Sequence, residues 1–532
     1  MTKYVFLLSL ALLLSSWPLL AQEEHHHTEP LEKIGRVSFP ITCDQSVQKE
    51  FERGLALLHS FWYEEARKSF KEVLDQDPHC AIAYWGQAMS IYRPLWNRPT
   101  ASDLQNGRKL IQMAQSIDGN SERERDYIDG LAAFYADDNR DYQKRSADYC
   151  DVMQNLFARY PEDREAAVFY ALSLLGSQPD HDTKLENPKK AIAILAELFK
   201  EAPDHPGVAH YLVHAADNPH LADLGLPAAR RYAQIAPTSP HALHMPSHIF
   251  ARLGLWQEDI QSNLASIAAT IQPSGMHVGA EHQIHAMDFL EHAYLQIGEN
   301  NKAKAVVDQL GTMRDGDVDP GLDGYLDRMR AHLPAMYALE THQWKEAVAL
   351  QPPAGAEPSS QSITYWAHAV AAGHLRDVAA ARDAVQQYDA MLDTVRKSSR
   401  PYQADYMSTN GVEAHAWLVF AEGKNDEALR LLRSVADKQD AEGKGEVELP
   451  AREMLADMLL EMNHLREALA EYEKSLSTDP NRFNGLYGAA RSAELLQLPR
   501  TAARYYVQLL KNCDALSQRL ELSHAKQLLA RN

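Results

Sequence analysis

The sequence predicts an all-α fold, a solenoid of repeated helix pairs. Three observations carry this. Packing residues recur every 34 residues along much of the chain, the length of one helix–turn–helix repeat. No stretch alternates apolar and polar residues between turn signals, so strands are not expected. Glycine (25) and proline (26) are sparse for 532 residues and spread out, as in an ordered helical chain.

The elements follow in order. Residues 1–21 hold Lys3, the apolar run YVFLLSLALLL and a small residue, Ala21, before Gln22. That is the pattern of a secretory signal peptide. The run is too short to span a bilayer comfortably. No cysteine sits at the expected cleavage point, so a lipid anchor is not indicated. The expectation is an exported protein, periplasmic or secreted, with no membrane insertion after signal cleavage. Residues 22–46 read as an extended N-terminal segment. Its His25–His27 run is the kind of short tract that is often incidental rather than metal-binding.

A first repeat spans 47–80, with Gly54, Leu57, Tyr63, Ala66, Phe70 and Pro78. These fall at positions 8, 11, 17, 20, 24 and 32 of the tetratricopeptide (TPR) pattern. A second repeat begins at Ala81. Two more occupy 124–160 and 164–203, the latter keeping Ala191, Leu195, Leu198 and Pro203 in register. The fifth and sixth cover the stretch 204–256, which holds seven of the 24 histidines. After an insertion, TIQPSGMHVG, the seventh carries Gly298 and Ala303. Residues 311–321 break the pattern before an eighth repeat with Trp344 and Ala347, and 351–362 break it again. Four further repeats read as 359–392, 409–442, 449–482 and 483–516. No unit can bury its apolar face alone, so the units must stack. The expected product is a right-handed TPR α-solenoid of about twelve helix pairs. The breaks make it a candidate for two lobes, an N-terminal array over 47–317 and a C-terminal array over 318–532.

The formal charge of −20 argues against a nucleic-acid partner, because phosphate contacts need a basic stripe. Cys43, Cys80, Cys150 and Cys513 form no CxxC motif. In an oxidising compartment a pair can bridge. Cys43 precedes the first predicted helix and Cys80 starts the third. Those helices are neighbours in such a stack, so Cys43–Cys80 is the preferred pairing, although spacing alone leaves connectivity open. No GxSxG, P-loop, HExxH or GxGxxG forces an enzyme class.

From residue 39 onward the runs LLHSFWYEEA, DPHCAIAYWG, HPGVAHYLVHAADNP, HALHMPSHIFARLGLW, HAMDFL, LPAREMLADMLLE and PNRFNGLYGAARSAE are distinctive. On them the chain resembles a group of exported bacterial TPR proteins marked by HYxxHxxD and HMPSHIFxRLG. The resemblance implies an all-helical TPR fold and no particular reaction. In the TPR family, the first helix of each repeat lines a concave groove, with positions 2, 5, 9, 12 and 13 facing a ligand.

Counting from the packing residues places the histidines in that groove. His210 and His214 fall at positions 5 and 9 of the fifth repeat, and His244 and His248 at the same positions of the sixth. His285, Asp288 and His292 fall at 2, 5 and 9 of the seventh. Asp217 falls at 12, and Arg252 and His59 at 13, of their repeats. Two functional readings follow. In the first, the groove binds a protein or peptide, with His59, Asp217, Arg252 and His292 among its contacts. The histidines are then a polar lining that bonds to Tyr211 and Asp217. In the second, His210, His214, His244 and His248, with His285 or Asp288, ligate a transition metal such as Cu, Zn or Fe. Imidazole suits these ions, and an i, i+4 pair can share one. The protein would then be a metalloprotein of oxidoreductase or hydrolase type. Pro246, between His244 and His248, predicts a kink or a helix start near Met245. The long loop NPHLADLGL is a candidate cover for the groove, carrying His220. Trp62, Trp85, Met89 and Trp96 read as core before groove wall. Arg491 with Tyr487 reads as an ion pair to Glu494 or Glu453 before an anion site.

Overall fold

Two helices and a tight turn make each repeat, and the sequence shows why. In the first repeat Gln48–His59 and Tyr63–Gln76 are α-helices. Their apolar positions bury Phe51, Leu55 and Leu58 on one helix and Ala66, Phe70 and Val73 on the other. The rings of Phe51 and Phe70 meet with centroids 5.4 Å apart. One residue in the left-handed region reverses the chain between the paired helices. Phe61, Gly254, Gly298, His342, Arg376, Gly423, Asn463 and Gln497 play this part, with φ between 54° and 81°. A side chain at such a residue costs roughly 1–2 kcal/mol, which favours glycine. At Gly254 space also demands it, because a Cβ there would lie 2.2 Å from the Pro480 carbonyl oxygen.

The structure, a computed structural model, describes residues 33–530 except 96–97, 137–139, 180–181, 272–278, 315–322, 399–401, 446 and 516. The signal-peptide reading over 1–21, the His25–His27 run, Trp96 and the centres of the 270–279 insertion and the 311–321 break lie outside these residues. The described residues form an all-α TPR solenoid. None of their helices is long and apolar enough to cross a membrane.

Successive helix pairs stack through three apolar clusters. One runs from Ile34 to Phe250, one from Ala251 to Leu333 and one from Ala335 to Ala525. The array also winds back on itself. Trp256 Nε1 donates to the Asn481 carbonyl (2.9 Å), and Asn481 Nδ2 donates to the Gly254 carbonyl (3.2 Å). The Asp514 amide reaches the Ile297 carbonyl (3.1 Å), and Ser517 Oγ the Gly298 carbonyl (2.7 Å). The turns of the sixth and seventh repeats are thereby tied to the last helices.

Part of the predicted N-terminal segment is described, and it is anchored. Phe39 is fully buried, and the Thr42 amide and hydroxyl both donate to Glu124 (2.9 and 2.5 Å). Cys43 and Cys80 are disulfide-bonded, with Cα atoms 5.1 Å apart, as the repeat stacking predicts. Cys150 and Cys513 are free thiols.

Candidate metal centre

Three successive first helices carry the histidines. Pro206–Ala216 starts on an N-cap, His205, whose Nδ1 accepts from the Val208 amide (3.2 Å). It presents His210 and His214. The next first helix is interrupted as Pro246 predicts, into Pro240–His244 and Pro246–Arg252. Met245, at the break, keeps helical angles (φ −50°, ψ −34°). His244 and His248 therefore remain on one face. The third, Ala280–Gln296, presents His282, His285 and His292.

The His244–His248 pair has a defined tautomer. Asn263 donates its Nδ2 to the Asp259 carbonyl (3.0 Å) and to Asp259 Oδ1 (2.6 Å). This turns Asn263 Oδ1 toward His244, whose Nδ1–H donates to it (2.6 Å). On the second ring, His248 Nδ1–H donates to Asp217 Oδ2 (2.9 Å), and Asp217 Oδ1 accepts from Arg252 Nε (3.0 Å). When both rings are neutral each Nε2 carries a lone pair, and the two atoms lie 3.0 Å apart. His285 joins them, its ring centroid 4.4 Å from His244 and 5.5 Å from His248. The ligand atoms of the three all lie within 4.8 Å of one another. Burial, and then repulsion from His285 and His248, hold the His244 pKa well below the ordinary histidine value.

A second trio lies beside the first. His210 Nδ1–H donates to the His59 carbonyl (2.6 Å), leaving a lone pair on Nε2, which lies 3.0 Å from His241 Nε2. His214 completes the set, its ring 4.8 Å from His210 and 6.2 Å from His241. Burial lowers the His210 pKa to about 3. His241 is held well below its usual value by burial and by the neighbouring rings, His210 first.

A third cluster has similar spacing and different chemistry. Glu165 accepts from His59 Nε2 (2.8 Å) and His205 Nε2 (2.7 Å). His59 Nδ1 lies 3.0 Å from the Tyr211 hydroxyl, and His205 Nδ1 is filled by the Val208 amide. The carboxylate and both rings are buried, and each ring nitrogen has a hydrogen-bond partner. These hydrogen bonds clamp together the repeats that carry the three residues.

The predicted ligands do not form one set: the structure divides them between two trios, His210 and His214 in one and His244, His248 and His285 in the other. It does not place Asp288 among them; Asp288 faces His332 (3.3 Å). Of the predicted groove contacts, Asp217 and Arg252 line an open recess of about 800 Å³. His59 is buried in the clamp, and His292 is buried with Trp256 5.6 Å from its ring. His220 reaches across to the Asp440 carbonyl (3.3 Å) rather than over the trios. Trp85 and Met89 are core, and Arg491 pairs with Glu494 (2.9 Å). Sequence reasoning missed His241, His282 and the Glu165 clamp.

Residues 449–482 match the tetratricopeptide repeat family, and they hold the helices Ala451–Glu461 and Leu465–Thr478. Among solved structures, the TPR domain of P58(IPK) is similar at 13% identity, over 69% of this chain and 99% of that chain, with a TM-score of 0.22. The human IFIT1 dimer with m7Gppp-AAAA is similar at 12% identity, over 81% of this chain and 90% of that chain, with a TM-score of 0.36. No curated protein matches the chain.

Proposed function

We propose that this protein is an exported TPR scaffold whose groove holds a transition-metal ion on His244, His248 and His285. One observation carries the reading: the two Nε2 atoms lie 3.0 Å apart while both Nδ1 atoms are hydrogen-bonded elsewhere. Neutral rings so held repel, and a shared cation relieves the repulsion. Tetrahedral metal–nitrogen bonds of roughly 2.0–2.1 Å need nitrogens a little over 3 Å apart. Asp217 and Asn263 supply the outer hydrogen bonds that orient metal-ligating histidines. An all-imidazole set suits Zn, Cu, Fe or Ni. Export fits the Cys43–Cys80 bridge, since disulfides persist in oxidising compartments. The test is thermal unfolding at pH 7.5 with Zn²⁺, Cu²⁺ or Ni²⁺ titrated in. A rise in Tm in the wild type that is clearly smaller in His244→Ala/His248→Ala supports the site. Equal shifts in both proteins, or none in either, contradict it.

Binding of a protein or peptide is the second reading. The recess of about 800 Å³ favours it, being lined by both charge signs, among them Arg252, Lys438, Asp405 and Glu448. Such a lining suits a polar peptide segment better than a nucleic acid.

A further inference from the structure

We infer that His210, His214 and His241 hold a second metal ion beside the first, so that the cluster is a two-metal centre. This rests on the metal reading of His244, His248 and His285.

The two trios are equivalent in register. Each takes positions 5 and 9 from one repeat and position 2 from the next. His241 follows His210 by 31 residues and His285 follows His244 by 41, and the ten-residue insertion 270–279 is the difference. The same arrangement is therefore built twice, on adjacent turns of the solenoid. The ring spacings repeat as well: the position 5 ring lies 4.8 Å from both of its partners in the His210 trio, and 4.9 and 4.4 Å from them in the His244 trio. The 3.0 Å pair of Nε2 atoms differs, joining positions 5 and 2 in the His210 trio and positions 5 and 9 in the His244 trio. A carbonyl oxygen can only accept, so the His59 carbonyl fixes the His210 proton on Nδ1 and aims the Nε2 lone pair at His241. In the His59–Glu165–His205 cluster a carboxylate sits between the imidazoles. The grouped ligands at 210, 214 and 241 are nitrogens alone, which suits a first-row transition cation and not a hard one such as Ca²⁺.

The trios adjoin. The His214 ring lies 6.4 Å from His248. Helix-to-helix packing sets the separation of the two ions at roughly 8–10 Å. Of the six ligands only His214 lines the recess, so the second ion is the one that a small molecule entering from the recess reaches.

The experiment uses the full chain stripped with EDTA, reloaded with excess Cu²⁺ and desalted, with metal counted by mass spectrometry and spectra taken by EPR. The expected result is two equivalents per chain with dipolar broadening. One equivalent and no broadening are expected in both His210→Gln/His241→Gln and His244→Gln/His248→Gln. One equivalent in the wild type, lost only in the His244/His248 variant, would overturn the second ion and leave the first. No bound metal would overturn both. Should the double variants misfold by circular dichroism, His214→Ala is the readout. A second equivalent weakened at least tenfold, with the first unchanged, supports the proposal, and unchanged affinities for both overturn it.

Discussion

His244 and His248 meet Nε2 to Nε2 at 3.0 Å, with the far side of each ring anchored, His244 on Asn263 and His248 on Asp217. Proline between them does not spoil the pair, because Met245 keeps helical angles across the break. The pair is thus a rigid donor set rather than two mobile side chains.

Asp217 is the contact that fixes the His248 tautomer. Asp217→Asn should weaken metal binding by roughly 10–100-fold, with helical content unchanged. Competition with a chelator of known affinity measures this. Undiminished affinity would show that the carboxylate does not orient the ring.

The helix pairs were the legible part of this chain. Positions such as Gly54, Ala66 and Phe70 mark packing that depends on size and spacing alone, and the helices fall where they predict. The His pairs were legible because i, i+4 spacing is local. His241 sits at position 2 of the sixth repeat, three residues before His244, and shares the groove register, but the duplicated i, i+4 pattern does not include it. The Glu165 clamp was illegible for a different reason. It joins residues 106 and 40 apart in sequence, and no periodicity links them. The register of His292 predicted exposure in the groove. Packing with Trp256 buries it instead.

The clamp predicts an acid-sensitive contribution to stability. Burial alone would raise the Glu165 carboxyl, but His205 and His59 beside it hold its pKa well below the usual range. Below about pH 4.3 the unfolded chain takes up a proton that the native carboxylate refuses, so native stability falls as pH drops. Glu165→Gln should lose roughly 3–5 kcal/mol at pH 7 and show a flatter decline between pH 5 and 3. Urea unfolding across that range decides it. Parallel curves for the two proteins would contradict the assignment.

Glu413 should behave in the opposite sense. It borders a cavity of about 260 Å³ and accepts from Trp366 Nε1 (2.9 Å) and Gln439 Nε2 (3.3 Å). Burial pushes its pKa up to about 8. Between about pH 4.3 and that value the native chain holds a proton that the unfolded chain has lost, so stability falls as pH rises. Glu413→Gln should match the wild type near pH 4 and exceed it above pH 8, by on the order of 2–5 kcal/mol. Melting temperatures at pH 4 and pH 9 test this. A constant difference between the two proteins at both would refute it.

Gly254 couples the sixth repeat to the C-terminal helices. Gly254→Ala places a Cβ 2.2 Å from the Pro480 oxygen at a φ of 63°. The left-handed strain and the forced separation should together cost about 2–4 kcal/mol. Hydrogen exchange should rise at the Trp256–Asn481 contact before it rises in the first repeats. Uniform exchange along the chain would count against a local coupling.

The most direct measurement is an anomalous-difference map from crystals of the metal-loaded protein, recorded at the absorption edge of the ion. A metal held by the pair gives a peak about 2.0–2.1 Å from Nε2 of both His244 and His248. A map with no peak within bonding distance of either Nε2, in protein that carries metal elsewhere, would contradict the proposed site.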